Sequence, residues 1–207
     1  TEVEFCLPML TRLKDKGYIV GLNIMQASLR EESELEEMSA LIGQWSCIDV
    51  VYFADSLGVM KSNDMKKVFR AIRKNWLKDI GFHAHNNMGK AISNVNVAID
   101  LGCTWIDSTI TGMGRGAGNA ETEYVLLEPK IHNKNRKLGK LFDLVINHFE
   151  PMKKSYGWGV SLPYYIGALN SLHPTYVQEF CADKTLLQSS LPQLLVDIGR
   201  TKSPHVF

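Results

Sequence analysis

Phe82-His83-Ala84-His85-Asn86-Asn87 carries two imidazoles separated by a single residue. On a β-strand, positions i and i+2 project from one face, so His83 and His85 would point together, and adjacent imidazoles can share one divalent cation. Were the segment a loop or a core strand, the two histidines would be unrelated. A second cluster is Gly112-Met113-Gly114-Arg115-Gly116-Ala117-Gly118-Asn119. Such glycine density signals backbone at positive φ or in close approach to a ligand, and Asn119 can offer an amide oxygen to a hard cation. A third is Asp55-Ser56-Leu57-Gly58. Asp55 can cap its own turn or face a substrate, and Ser56 can donate to a bound carboxylate or carbonyl.

The elements that must position these groups repeat one design: a short β-branched or aromatic run, a polar or glycine-containing junction, then a stretch of helical period. The runs are Ile19–Met25, Ile48–Ala54, Ile80–His85 and Trp105–Ile110. Pro8–Lys16 and Glu31–Gln44 read as amphipathic helices. Ser62 is placed to cap a helix through Trp76, with Met65, Val68, Phe69 and Ile72 on one face. Asn86 or Asn87 caps a further helix that stops at Gly102 and carries Ile92, Val95, Ala98 and Ile99 as its stripe. Beyond Asn119 the pattern becomes helical: Ala120–Leu127, Lys140–Tyr156, and Tyr164–Ala182 interrupted at Pro174.

Strands alternating with helices require parallel βα units, in a closed eight-stranded barrel or an open doubly wound sheet. All three clusters then fall at strand C-termini, the face where barrel enzymes do chemistry. Gly112, Gly114 and Ala117 also satisfy a relaxed dinucleotide fingerprint. No strand ending in Asp or Glu follows to hold a ribose, which disfavours that reading. A full barrel needs about 250 residues. The expectation is therefore an α/β fold comprising the C-terminal part of a (β/α)8 TIM barrel, about four βα units over residues 1–138, with the last barrel helix and a helical extension over residues 139–207.

Composition narrows the classes. Hydrophobic residues at 45% and charged residues at 22% are those of an ordinary globular domain. With 23 basic against 22 acidic residues there is no excess to suggest nucleic acid, and the run Lys130, Lys134, Arg136, Lys137 and Lys140 reads as a solvated surface. No apolar stretch approaches a membrane span and no leader is visible, so a cytoplasmic protein is expected. Cys6, Cys47, Cys103 and Cys181 are scattered, as buried thiols are, without metal-knuckle pairing.

The HxHN motif followed by GxGxGAGN resembles the metal-dependent aldolase and lyase superfamily (HMG-CoA lyase-like), over about Ile19 to Glu123. The loop lacks the cysteine of the CoA lyases and the Glu-Arg pair of the isopropylmalate and homocitrate synthases. It looks most like the 4-hydroxy-2-oxovalerate aldolase branch, with aldolase-like proteins of polysaccharide biosynthesis as a near alternative, which share a segment like His173-Pro174-Thr175-Tyr176-Val177-Gln178. The resemblance implies His83 and His85 as metal ligands, Asn119 as a further metal ligand or a group that supports the ligands, Ser56 and Asp55 at the substrate, and Tyr164, within Leu162-Pro163-Tyr164, on the aldehyde side as a catalytic group. An aromatic in an apolar helix can equally be packing. The family's first strand supplies a metal-binding aspartate and a catalytic arginine for which this chain has no counterpart, so the site is expected to be incomplete.

The implied activity is cleavage or formation of a C–C bond in a 4-hydroxy-2-oxoacid, giving pyruvate and an aldehyde, with a divalent cation as Lewis acid. Mixed nitrogen and oxygen donors suit Mn2+, with Mg2+, Co2+ or Zn2+ as alternatives. The partner implied is a small 2-oxoacid, with a homo-oligomer expected and neither nucleic acid nor membrane. An acyl-CoA-dependent 2-oxoacid synthase and a non-catalytic binding module built on a barrel remain as other readings.

Overall fold

The structure, a computed structural model, describes residues 2–132, 136–183, 185 and 190–200. Lys134 of the basic run lies outside the described residues. Two compact units are present: one takes residues 2–55, 60–83 and 97–106, the other residues 56–59, 84–96 and those from 107 onward.

In the first unit α1 (Glu2–Asp15), β1 (Gly21–Ile24), α2 (Glu32–Gly43), β2 (Val50–Asp55), α3 (Ser62–Arg73), β3 (Asp79–Ala84), α4 (Ala91–Leu101) and β4 (Trp105–Asp107) alternate, the ends of β3, α4 and β4 passing into the second. The four strands form one sheet in the order β1-β2-β3-β4. β1 and β2 are parallel, in register from Gly21 opposite Val50 to Ile24 opposite Phe53. Chain order equals spatial order, so these strands contain no reversal of the kind at which an open sheet binds a dinucleotide.

The reason these segments are strands and helices is visible in burial. Val50-Val51-Tyr52-Phe53-Ala54-Asp55 is buried on both faces, apart from a half-buried Tyr52, as a parallel strand covered by helices must be. Met65, Val68, Phe69 and Ile72 give α3 its buried stripe, as their spacing predicts. Trp76, fully buried, donates its indole N–H to the Asp79 carbonyl at 2.8 Å and so closes the α3–β3 connection. Burying a side chain such as Phe53 or Phe82, whose rings meet at 5.0 Å, contributes about 1.5–3 kcal/mol each. Asp49, just before β2, accepts from Lys14 Nζ at 2.6 Å and from the Val20 N–H at 2.8 Å, joining α1 to the entry of β1. Those two donors hold its carboxyl below the usual carboxylate range.

Several boundaries differ from the sequence reading. α1 begins at Glu2 and carries Pro8 in its interior, where one main-chain bond is given up. Lys61, not Ser62, is the N-cap of α3, because the Asp64 carboxylate reaches back to the Lys61 N–H at 2.9 Å. That helix stops at Arg73, before Trp76. β4 ends at Asp107, since Thr109 pairs with Glu121 and the chain then turns through Ile110–Gly112. α4 starts at Ala91, and Asn86 serves it across an intervening turn by accepting the Ala91 N–H on Oδ1 at 3.1 Å. Gly102, at φ +98°, does terminate it.

The second unit adds α5 (Thr122–Val125), α6 (Gly139–Leu144), a π turn (Val145–Phe149), α7 (Glu150–Tyr156), α8 (Leu162–Leu169), α9 (Pro174–Ala182) and α10 (Leu191–Arg200). Pro174 opens α9 at its first turn instead of interrupting a longer helix; its missing N–H costs nothing there. His173 caps α9, its Nδ1 accepting from the Thr175 N–H at 3.3 Å. α10 falls within the expected helical extension, to which the sequence reading gave no helix bounds here. Its Leu191 and Leu195 join Ala117, Tyr164, Leu172 and Val177 in one buried cluster. No helix among the described residues is long and apolar enough to cross a membrane.

Candidate functional site

β3 presents alternate faces, as the period of two requires. Phe82 and Ala84 are buried, and His83 and His85 on the opposite face are partly open. Gly81 belongs to the histidine face, and a Cβ there would lie 2.3 Å from the Tyr52 ring, so glycine is required where that ring crosses the strand. His83 is the last residue but one of β3, and His85 stands one residue past its end.

Just past β3, His85 pairs with Asn119 in an isolated antiparallel bridge. Two main-chain bonds flank the pair: Asn86 N–H to the Gly118 carbonyl at 2.9 Å and Ala120 N–H to the Ala84 carbonyl at 3.1 Å. This is the pattern of a non-hydrogen-bonded antiparallel pair, in which facing side chains stand on the same side with Cα atoms about 4.5 Å apart. The imidazole of His85 and the amide of Asn119 are thus brought together by the backbone itself. The Asn119 Nδ2 donates to the Met113 carbonyl at 3.2 Å and to Thr109 Oγ1 at 3.5 Å. Its Oδ1 is buried and accepts no hydrogen bond.

The glycine loop has the conformation its composition requires. Gly118 sits at φ +77°, and a Cβ there would fall 2.0 Å from the Gly112 carbonyl oxygen. Thr111, not a glycine, also takes the left-handed region, at φ 52° and ψ 22°. Both carboxylate oxygens of Glu123 accept its N–H, at 3.1 and 3.0 Å, and its carbonyl accepts Trp158 Nε1–H at 3.1 Å. Neither Glu123 nor Trp158 was legible as a site residue: Glu123 folds back from four residues past the loop, Trp158 reaches it from a distant segment, and no local pattern marks either.

Asp55 is fully buried, and both its carboxylate oxygens accept the Met60 N–H, at 3.2 and 3.1 Å. It closes the loop that follows β2. Ser56, buried beside it, lies in that loop, and Gly58 at φ +64° lets the loop pack on Asn87, whose backbone N would be 2.8 Å from an added Cβ.

Tyr164 lies in α8, largely buried, with its ring against Gly116. Burial pushes its hydroxyl above the usual tyrosine range, the neighbouring Cys181 adds to that shift, and Arg115 opposes it. Tyr164, Arg115, Tyr156, Trp158 and Gln178 line a cavity of about 270 Å³ floored by Gly114 and Gly116; His85 and Asn119 are not part of its lining. Arg115 is tied to this wall by donating to Thr175 Oγ1 at 2.8 Å. Glu121 is pushed up by burial, against the opposing charge of Lys153 at 3.6 Å.

The buried, unpartnered Oδ1 of Asn119, a residue bridged to His85 through the backbone, is a donor that a divalent cation fits, since an amide oxygen left without a partner is costly and a cation satisfies it. Among the described residues no group of three or more His, Cys, Asp or Glu side chains is placed to hold a metal.

A family profile described as HMGL-like matches residues 6–144. Over 126 residues the chain is 34% identical to the 4-hydroxy-2-oxovalerate aldolase of Brevibacillus brevis, a match covering 61% of this chain and 37% of that protein. Over 184 residues it is 28% identical to the oxaloacetate decarboxylase of Mycobacterium tuberculosis, covering 86% of this chain and 54% of the relative. In fold it resembles the HMG-CoA lyase of Bacillus subtilis, with a TM-score of 0.62 at 18% identity, over 74% of this chain and 55% of that one. The matched stretch spans well under two thirds of each of these relatives.

Proposed function

We propose, since this chain belongs to the HMGL-like family, that it supplies the cation- and substrate-binding end of a lyase that breaks a C–C bond next to a 2-oxo acid. In that reading the four βα units are part of a closed (β/α)8 barrel, and the substrate is a 4-hydroxy-2-oxoacid cleaved to pyruvate and an aldehyde. The observation that carries the reading is the orphaned Oδ1 of Asn119 opposite His85.

His83, His85 and Asn119 would hold the cation, Mn2+ being best suited to the mixed donors. Once bound, such an ion supplies Lewis acidity toward charge developing on the 2-oxo oxygen. The chain's own groups do the rest. Ser56 donates its hydroxyl to the substrate carboxylate, and Asp55, by holding the Met60 N–H, keeps the Ser56 loop closed. Tyr164, kept protonated by burial, presents a hydroxyl donor on the aldehyde side. In the reaction a base takes the proton of the 4-hydroxyl, the C3–C4 bond breaks, its electron pair becomes the enolate of pyruvate, and a proton returns to C3.

A second reading is favoured by the longer match to the oxaloacetate decarboxylase. Breaking the corresponding bond of oxaloacetate leaves the same enolate and releases CO2 in place of an aldehyde. Following pyruvate together with aldehyde or CO2, in protein containing this chain, separates the two. Full activity after exhaustive chelation would reject the cation-dependent mechanism in either form.

A further inference from the structure

Thr111 occupies a left-handed conformation, uncommon for a β-branched residue, and the structure must therefore hold it there. Both of its main-chain polar groups are captured by side chains. The N–H is shared between the two oxygens of Glu123, and the carbonyl takes the indole N–H of Trp158. Thr111 is 3% and Glu123 7% exposed, so the bonds to this carboxylate are shielded from water and charge-assisted.

The two residues after Thr111 carry the effect of this clamp to Asn119. Gly112 returns its N–H to the Thr109 carbonyl at 3.0 Å and accepts the Asn119 N–H on its own carbonyl at 3.0 Å. Met113 accepts the Asn119 side-chain amide. These two carbonyls fix the Asn119 main chain and the plane of its amide, and so decide where Oδ1 stands. There is no slack to absorb an error: a Cβ on Gly114 would lie 2.6 Å from Asn119 Nδ2, and one on Gly118 would lie 2.0 Å from the Gly112 oxygen. Rotating the Thr111 peptide swings the Gly112 and Met113 carbonyls together.

We propose that Glu123 and Trp158 are positioning residues which clamp the Thr111 peptide in its left-handed conformation and thereby aim the Asn119 amide oxygen at the cation. The proposal rests on the reading of His85 and Asn119 as ligands given above. Neither residue is a ligand in it; both act through Thr111.

Glu123→Gln keeps an acceptor oxygen and removes the charge, and Trp158→Phe keeps an aromatic ring and removes the indole donor. Asn96→Ala, which breaks the 2.7 Å bond to Glu128 elsewhere in the same unit, serves as the control for general destabilisation. Mn2+ affinity is measured by electron paramagnetic resonance on protein shown to be folded by circular dichroism. Amide exchange at Gly112 and Asn119 is measured without metal. The expected result is a loss of Mn2+ affinity of about 10- to 100-fold in each clamp variant. Faster exchange at both amides should accompany it, the double variant should lose less than the product of the two single losses, and Asn96→Ala should bind as the unaltered protein does. Unchanged Mn2+ affinity in both clamp variants overturns this proposal alone. Failure of the unaltered protein to bind Mn2+ in a His85-dependent way overturns the cation reading and the proposal with it.

Discussion

His85 and Asn119 face each other across an antiparallel bridge, and the amide oxygen of Asn119 on the shared side is buried without a hydrogen-bond partner. A glycine-rich loop is thereby latched to the end of a strand, and the cation reading rests on this pairing. Three consequences concern this site, and a fourth concerns the frame that carries it.

Removing either member of the pair should weaken cation binding. Asn119→Ala and His85→Ala are each expected to lower Mn2+ affinity by at least about tenfold, the scale on which even residues outside the ligand shell act. Asn119→Asp, which keeps an oxygen and adds charge, should retain most of it. Titration followed by electron paramagnetic resonance reads all three, and equal affinity in Asn119→Ala would remove that residue from the site.

Asp55 tests whether the Ser56 loop depends on its closure. Asp55→Ala leaves the buried Met60 N–H without an acceptor and should destabilise the protein by about 1–3 kcal/mol. Asp55→Asn keeps one acceptor oxygen and should cost less. Urea unfolding measures both, and an Ala variant as stable as the parent would show the closure to be dispensable.

Tyr164→Phe separates the hydroxyl from the ring. The ring packs on Gly116 and belongs to the buried cluster with Leu172, Val177 and Leu195, so stability should change little. Pyruvate release should fall if the hydroxyl serves the aldehyde side. Unaltered turnover together with unaltered stability would leave Tyr164 as a packing residue only.

The fourth expectation is a pH dependence. The folded-state pKa of Asp49 lies below its ordinary value of 3.8, owing first to the hydrogen bond from Lys14 and then to that from Val20. A depressed carboxylate stabilises the fold above the unfolded pKa, and the contribution disappears as pH falls through the lower, folded value. Asp49→Asn should therefore reduce stability at neutral pH and flatten the loss of stability below about pH 4. Chemical unfolding across pH 2 to 6 checks the sign; parallel curves for parent and variant would contradict it.

The alternation of β-branched runs with helical stripes was enough to place the four strands, because extended segments and amphipathic helices leave distinct periods in the sequence. The i, i+2 spacing of His83 and His85 likewise predicts a shared face, since that geometry is local to an extended segment. The element ends were less legible. Asp64 displaced the cap of α3 onto Lys61, and pairing of Thr109 with Glu121 cut β4 short, both through contacts that propensity does not encode. Helix α10 lay within the expected helical extension without bounds of its own, because its leucines are explained by the cluster around Tyr164 that they help to close.

The sequence alone therefore determined which residues carry donor atoms and where the strands and helices that hold them run. Only the tertiary structure decided that Asn119 stands opposite His85 with its oxygen unspent and that Glu123 and Trp158 converge on Thr111. Each of those pairings joins segments through a backbone register or a buried hydrogen bond, and such register is fixed by packing between elements, which no local pattern of residues records.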